Sequence, residues 1–156
     1  MMNVQVMRHL VDPLDAGTMP AVVLAAAERW HGESIVYVRS SANHVFRCVR
    51  GGETLYLRLS HGSERTRDYL QAELDFILHC AGLGLTVARP VLSASGTYIG
   101  EIPSDAGPYL AVAFEGLRGQ QFESDDLTGS QMHAWGRALG GLHRASASFP
   151  VRPVRG

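Results

Sequence analysis

Residues 54 to 59 read Thr54-Leu55-Tyr56-Leu57-Arg58-Leu59, and the chain continues further on with Ala72-Glu73-Leu74. Successive side chains of a strand point to opposite faces, so Leu55, Leu57 and Leu59 form one apolar row while Tyr56 and Arg58 form the other. A cation in the second row needs a partner if that face is covered. Upstream, Ser34 to Arg39 and Asn43 to Val49 carry the same β-branched and aromatic enrichment, and Gly51-Gly52 separates the second run from the third. Two glycines supply the positive backbone angles of a tight hairpin, so the second and third strands are expected to be antiparallel neighbours.

Working outward, Pro20 to about Trp30 places Val23, Ala26, Ala27 and Trp30 on one side of a short helix that ends at Gly32. The preceding stretch to Gly17 mixes Asp12, Pro13 and Asp15 with isolated apolar residues and is expected to be an irregular arm or a short edge strand. Downstream, Ser63 to about Cys80 predicts a helix with Ser63 as N-cap and an apolar stripe of Leu70, Leu74, Ile77, Leu78 and Ala81. Strands are expected over Val91 to Ala94 and Thr97 to Ile102, joined at Ser95-Gly96, and over Tyr109 to Glu115. A final helix runs from about Ser130 to Ala147, with Met132, Trp135, Leu139 and Leu142 at helical spacing, before an exposed tail through Pro150, Arg152, Pro153 and Arg155. No internal repeat is present.

The 156 residues suit one globular domain, and 46% hydrophobic content is enough to form a core. A formal net charge of -1 gives no global attraction for nucleic acid or an anionic membrane, so neither is expected as a partner. No apolar run reaches the ~18 residues needed to span a bilayer, and a cytoplasmic location is the default expectation. Cys48 and Cys80 lack the spacing of a zinc site or disulfide framework and are expected to be buried thiols. Neither H-E-x-x-H nor G-x-S-x-G occurs, which disfavours metallohydrolase and serine-hydrolase chemistry.

One chemical pairing stands out. At about 100° per residue Glu73 falls beside Ile77 at the margin of the helix's apolar stripe, where it faces the sheet and can meet Arg58. Such a pair is either structural or holds a cation against nucleotide phosphates. Ser41-Ala42-Asn43-His44-Val45-Phe46-Arg47, Leu55-Tyr56-Leu57-Arg58-Leu59, Ala72-Glu73-Leu74, Pro90-Val91 with Ser95-Gly96, Leu110 to Glu115 with Leu117 and Gly119, and Leu139-Gly140-Gly141-Leu142-His143 together resemble the N-lobe of the aminoglycoside phosphotransferase family. The resemblance covers about residues 34 to 144. It implies an α+β, protein-kinase-like N-lobe: a five- to six-stranded antiparallel sheet with a packed helix, plus a C-terminal helix. Residues 1–33 would be an arm and short helix, 34–117 the lobe up to its hinge, and 118–156 a linker and first helix leading toward a C-lobe.

The resemblance further implies transfer of the γ-phosphoryl group of ATP or GTP, with magnesium, to a hydroxyl of a small-molecule acceptor. Arg58 would take the phosphate-contacting position with Glu73 as its partner, and arginine there keeps the charge but not the compact ammonium of lysine. Ser40, Ser41 and Asn43 would form the loop over the phosphates, and Phe114, Glu115, Gly116 and Leu117 the hinge that recognises the base. The loop lacks the G-x-G-x-x-G series. A catalytic loop of the type H-G-D-x-x-x-x-N and a later metal-binding aspartate are also missing, so no catalytic residue is assigned. His31-Gly32-Glu33 reads as a helix-ending turn, and Glu123, Asp125 and Asp126 as a solvated helix entry. The chain is expected to stop where the C-lobe begins and not to turn over alone. The alternative is a stand-alone, non-catalytic interaction module that keeps the lobe fold and self-associates through its exposed hinge and final helix.

Overall fold

The computed structural model describes residues 4–120 and 124–150. Four α-helices and six strands follow one another as α1 (Val4–Asp15), α2 (Ala21–Arg29), β1 (Glu33–Ser40), β2 (His44–Arg50), β3 (Glu53–His61), α3 (Arg67–Gly82), β4 (Pro90–Val91), β5 (Gly100–Ile102), β6 (Tyr109–Glu115) and α4 (Gly129–Ser148), with a short 3-10 turn at Ser124–Asp126. The strands make one sheet in the order β1-β2-β3-β6-β4, and β5 pairs with β6 beside β4. Every pairing is antiparallel. The α+β kinase-like arrangement expected from the sequence is therefore present.

The hairpin joining β2 and β3 turns at Gly51 and Gly52 with φ of 56° and 88°, a left-handed pair that side-chain-bearing residues avoid. Its register sets Val45 opposite Arg58 and Phe46 opposite Leu57. Leu55, Leu57 and Leu59 face a core with Leu10 of α1 and Val22, Val23, Ala26, Ala27 and Trp30 of the α2 segment. On the opposite face, Leu70 and Leu74 of α3 pack with Ile99, Leu110 and Val112, while Ile77, Tyr98 and Phe114 border them. Helices thus cover both faces, which explains why β6, at the centre, is buried at five successive residues instead of alternating.

Several expected boundaries shift. The opening arm is helical from Val4 to Asp15 because Leu10 and Leu14 pack against the core, and Pro13 lies in the last turn. Thr66, not Ser63, caps α3, accepting from the Tyr69 N–H, whereas the Ser63 hydroxyl bonds to His61 at 2.7 Å. The strands expected on either side of Ser95-Gly96 shrink to two and three residues. Here Ser93 closes a turn onto Thr97, its N–H donating to the Thr97 carbonyl and its hydroxyl accepting from the Thr97 N–H, so local bonds displace ladder bonds. Thr128 and Gln131 form a reciprocal capping box that starts α4. Residue Glu123 and the tail residues Arg152, Pro153 and Arg155 lie outside the described residues.

Candidate functional site

Between α3, the cleft face of β2, β3 and β6, and the segment before β4 lies a cleft of about 490 Å³ lined by Val45, Tyr56, Arg58, Glu73, Ile77, Val87, Ala88, Phe114, Glu115 and Leu117. This volume is in the range of small-molecule sites. Most of its wall is apolar. Arg58 projects from the middle of β3, and its Nη1 donates to Glu73 Oε1 at 2.5 Å. The Arg58 side chain is 18% exposed and that of Glu73 41%, so the cation is the deeper member of the pair. The guanidinium also lies over the Phe114 ring, 5.0 Å from its centroid.

Glu73 satisfies only part of this guanidinium. Nε and Nη2 of Arg58 are buried and have no hydrogen-bond partner among the described residues. Buried donors without acceptors are costly and uncommon, and here two of them flank an open cleft. A polyanion entering that cleft would find charged donors already in place.

The opposite end of the cleft is set by the strand end of β6. The Glu115 N–H donates to the Arg89 carbonyl and the Gly116 N–H to the Thr54 carbonyl, both at 2.9 Å, whereas the Leu117 N–H has no acceptor among the described residues. Gly116 is fixed by close approach, since a Cβ there would meet the Thr54 carbonyl oxygen and Cγ2 at 2.9 Å. Gly116→Ala is therefore expected to push the segment off β3 and cost about 1–3 kcal/mol, read as a lowered denaturation midpoint.

Of the residues singled out from sequence, Arg58, Glu73, Phe114, Glu115 and Leu117 line this cleft. Gly116 lines a neighbouring depression with Thr54, Pro90 and Tyr98. Ser40, Ser41 and Asn43 do not line the cleft. Ser40 Oγ shares a 2.6 Å hydrogen bond with His44 Nδ1, Asn43 Oδ1 accepts from Ser60 Oγ at 2.6 Å, and the Ser41 N–H donates to the Asn43 carbonyl at 3.0 Å. Val45, Tyr56, Ile77, Val87 and Ala88 were not anticipated as lining residues. Val45 was accessible through the hairpin register opposite Arg58, but nothing in the pattern marked Val87 and Ala88. Among the described residues no three His, Cys, Asp or Glu side chains gather to hold a metal ion, and no helix is long and apolar enough to cross a membrane.

A six-stranded antiparallel sheet with helices on both faces, and with a helix carboxylate clasping a strand arginine beside an apolar cleft, has the fold of one lobe of the kinase-like phosphotransferases. The chain belongs to the phosphotransferase enzyme family (APH), whose model matches residues 35–153. It is 26% identical over 133 residues to amicoumacin kinase of Bacillus subtilis (strain 168), covering 83% of this chain and 40% of that protein. Its fold matches amicoumacin kinase hAmiN, solved in complex with AMP-PNP, Ca2+ and Ami, with a TM-score of 0.81 and 25% identity over 97% of this chain and 44% of the other. The structure of a microcompartment-associated aminopropanol kinase shares the fold with a TM-score of 0.69 at 20% identity, over 84% of this chain and 42% of the other. The chain spans less than half the length of each of these relatives.

Proposed function

We propose that this chain is the nucleotide-binding lobe of a small-molecule kinase, which holds ATP or GTP for transfer of the γ-phosphoryl group to a hydroxyl on a small acceptor. The carrying observation is the pair of buried, unpartnered guanidinium nitrogens of Arg58 in an apolar cleft. In this reading Glu73 holds the guanidinium by Nη1, leaving Nε and Nη2 for phosphate oxygens. The base packs among Val45, Ile77, Val87 and Phe114, with the Leu117 N–H as a backbone donor. Magnesium would arrive with the nucleotide and offset phosphate charge. Catalytic and acceptor-binding groups would come from a second lobe, so this chain alone is expected to bind nucleotide weakly and not to turn over.

Titration of the chain with MgATP by calorimetry tests this reading. Arg58→Met is expected to weaken binding at least about tenfold, the contribution of a charge-assisted hydrogen bond. The same variant should fold as stably as the parent, because two unsatisfied buried donors leave with the charge and the half-exposed Glu73 can hydrate. Equal MgATP affinity in both proteins would defeat the assignment.

The stand-alone module is the second reading, and the exposed apolar stripe on α4 favours it. Met132, Trp135 and Leu139 are 47%, 60% and 45% exposed, and Leu117 at the hinge is 55% exposed. A discrete oligomer in light scattering with no response to MgATP would select the module, and a nucleotide-responsive monomer would set it aside.

A further inference from the structure

Glu73 alone leaves the orientation of the Arg58 guanidinium open. Its carboxylate meets Nη1 in a single bond, and a planar group held at one corner can still swing about that corner. A bidentate contact would fix the plane, but here Nε and Nη2 take no part in the pair. Orientation matters, because it decides whether those two buried donors are presented to the cleft or turned from it. A second constraint on the plane comes from the sheet.

In the register of β3 and β6, Arg58 pairs with Val112 and Tyr56 with Phe114, so Phe114 is the diagonal neighbour of Arg58 on the cleft face. At that spacing a long side chain and an aromatic ring reach each other, and the Cζ of Arg58 lies over the Phe114 ring, 5.0 Å from its centroid. The ring is not free to follow the cation. It borders the cluster of Leu70, Leu74, Ile99, Leu110 and Val112, and its backbone is paired on both sides, with Tyr56 of β3 and Pro90 of β4. A guanidinium carries all its N–H donors on its edge and is weakly hydrated on its faces, so an aromatic platform holds the plane without consuming a donor. An ammonium has no plane to hold. The ring can therefore orient residue 58 only because that residue is arginine.

We propose that Phe114 is a positioning residue for Arg58, whose ring holds the guanidinium plane so that Nε and Nη2 stay available to phosphate while Glu73 fixes the remaining corner. The inference rests on the nucleotide reading of the cleft. It adds to that reading a second support for the phosphate-binding cation, drawn from a residue otherwise placed in the wall around the base.

Affinities of the full chain for MgATP and for adenosine test this as a ratio, since adenosine carries the base without the phosphates. Phe114→Leu keeps an apolar wall but removes the aromatic face. A guanidinium that spends part of its time turned away binds phosphate more weakly in proportion, so the MgATP to adenosine ratio is expected to fall about three- to tenfold. Phe114→Tyr restores an aromatic face and is expected to recover most of the ratio. In the Arg58→Met background Phe114→Leu should leave the ratio where Arg58→Met alone puts it, because the ring acts through the cation. Thermal melts confirm folding, and Phe114→Met, which fills more of the space, serves the same test where the leucine variant melts early. If Phe114→Leu weakens both ligands by one factor, or lowers the ratio as much in Arg58→Met as in the parent, the ring is only a wall of the cleft and the proposal fails. Failure of the unmodified chain to bind either ligand would instead overturn the nucleotide reading, and the proposal with it.

Discussion

Replacing Trp30 by alanine is expected to destabilise the lobe by about 3–5 kcal/mol, the cost of emptying a large aromatic site in a packed core. Trp30 is fully buried where α2 ends, and its indole N–H donates to the Val91 carbonyl at 2.8 Å. The ring also fills the space above Gly100, where a Cβ would approach its Cη2 to 3.2 Å. One side chain therefore ties α2 to both short strands, β4 and β5. For a domain of this size the loss corresponds to a fall in Tm on the order of 10 °C, a large fraction of ordinary domain stability. Trp30→Phe separates the two contributions, since it keeps most of the apolar volume and leaves the Val91 carbonyl without its donor, at about 1–3 kcal/mol. Val91 and Pro90 pair with Ala113 and Phe114, so the phenylalanine variant should also loosen the wall of the cleft. Chemical denaturation of the two variants checks the ranking, and a Trp30→Ala cost below that of Trp30→Phe would contradict the packing described.

The part of this architecture legible in sequence is the part where one physical rule dominates. Alternation from Leu55 to Leu59 fixes which face Arg58 occupies, because slipping the strand by one residue would bury its charge among leucines. Helical spacing then brings Glu73 to the same face, and the resulting pair sits where it was expected. Rules that compete locally are harder to read. Pro13 and two aspartates suggest a turn, yet Leu10 buries completely and carries α1 into the core, so tertiary packing outweighs propensity. Ser63 and Thr66 are both competent caps, and the choice falls to Thr66 because His61 recruits Ser63. Serine and threonine hydroxyls near Ser93 shorten two strands that composition alone would extend. The orientation of Asn43 depends on Ser60, a partner seventeen positions away whose hydroxyl looks like any strand residue in the sequence.

His44 should make the stability of the lobe sensitive to mild acid. It is fully buried, shares its Nδ1 with Ser40, and its Nε2 is buried without a partner among the described residues. Burial, with a smaller contribution from the positive charge available to nearby His9, lowers its pKa from the ordinary value of 6.5 to about 4. Around it lie His9 from α1, Tyr109 from β6 and Ser40 from β1, none of which supplies a negative charge at neutral pH. The native ring is therefore neutral, while the unfolded chain takes up a proton below about 6.5. Stability is full above that pH and falls as the pH drops toward about 4, at a slope of about 1.4 kcal/mol per pH unit from this group. His44→Phe removes the proton-binding site while keeping an aromatic ring in the space. Denaturation midpoints at pH 7 and pH 5 are expected to converge in this variant relative to the parent; an unchanged slope would assign the titration to another group. Because His44 anchors Ser40 from behind the loop, its protonation would loosen the end of the loop that Ser60 and Asn43 do not hold. MgATP affinity should consequently weaken only as the pH falls to about 4, where the native ring itself takes up a proton, in the parent more than in His44→Phe.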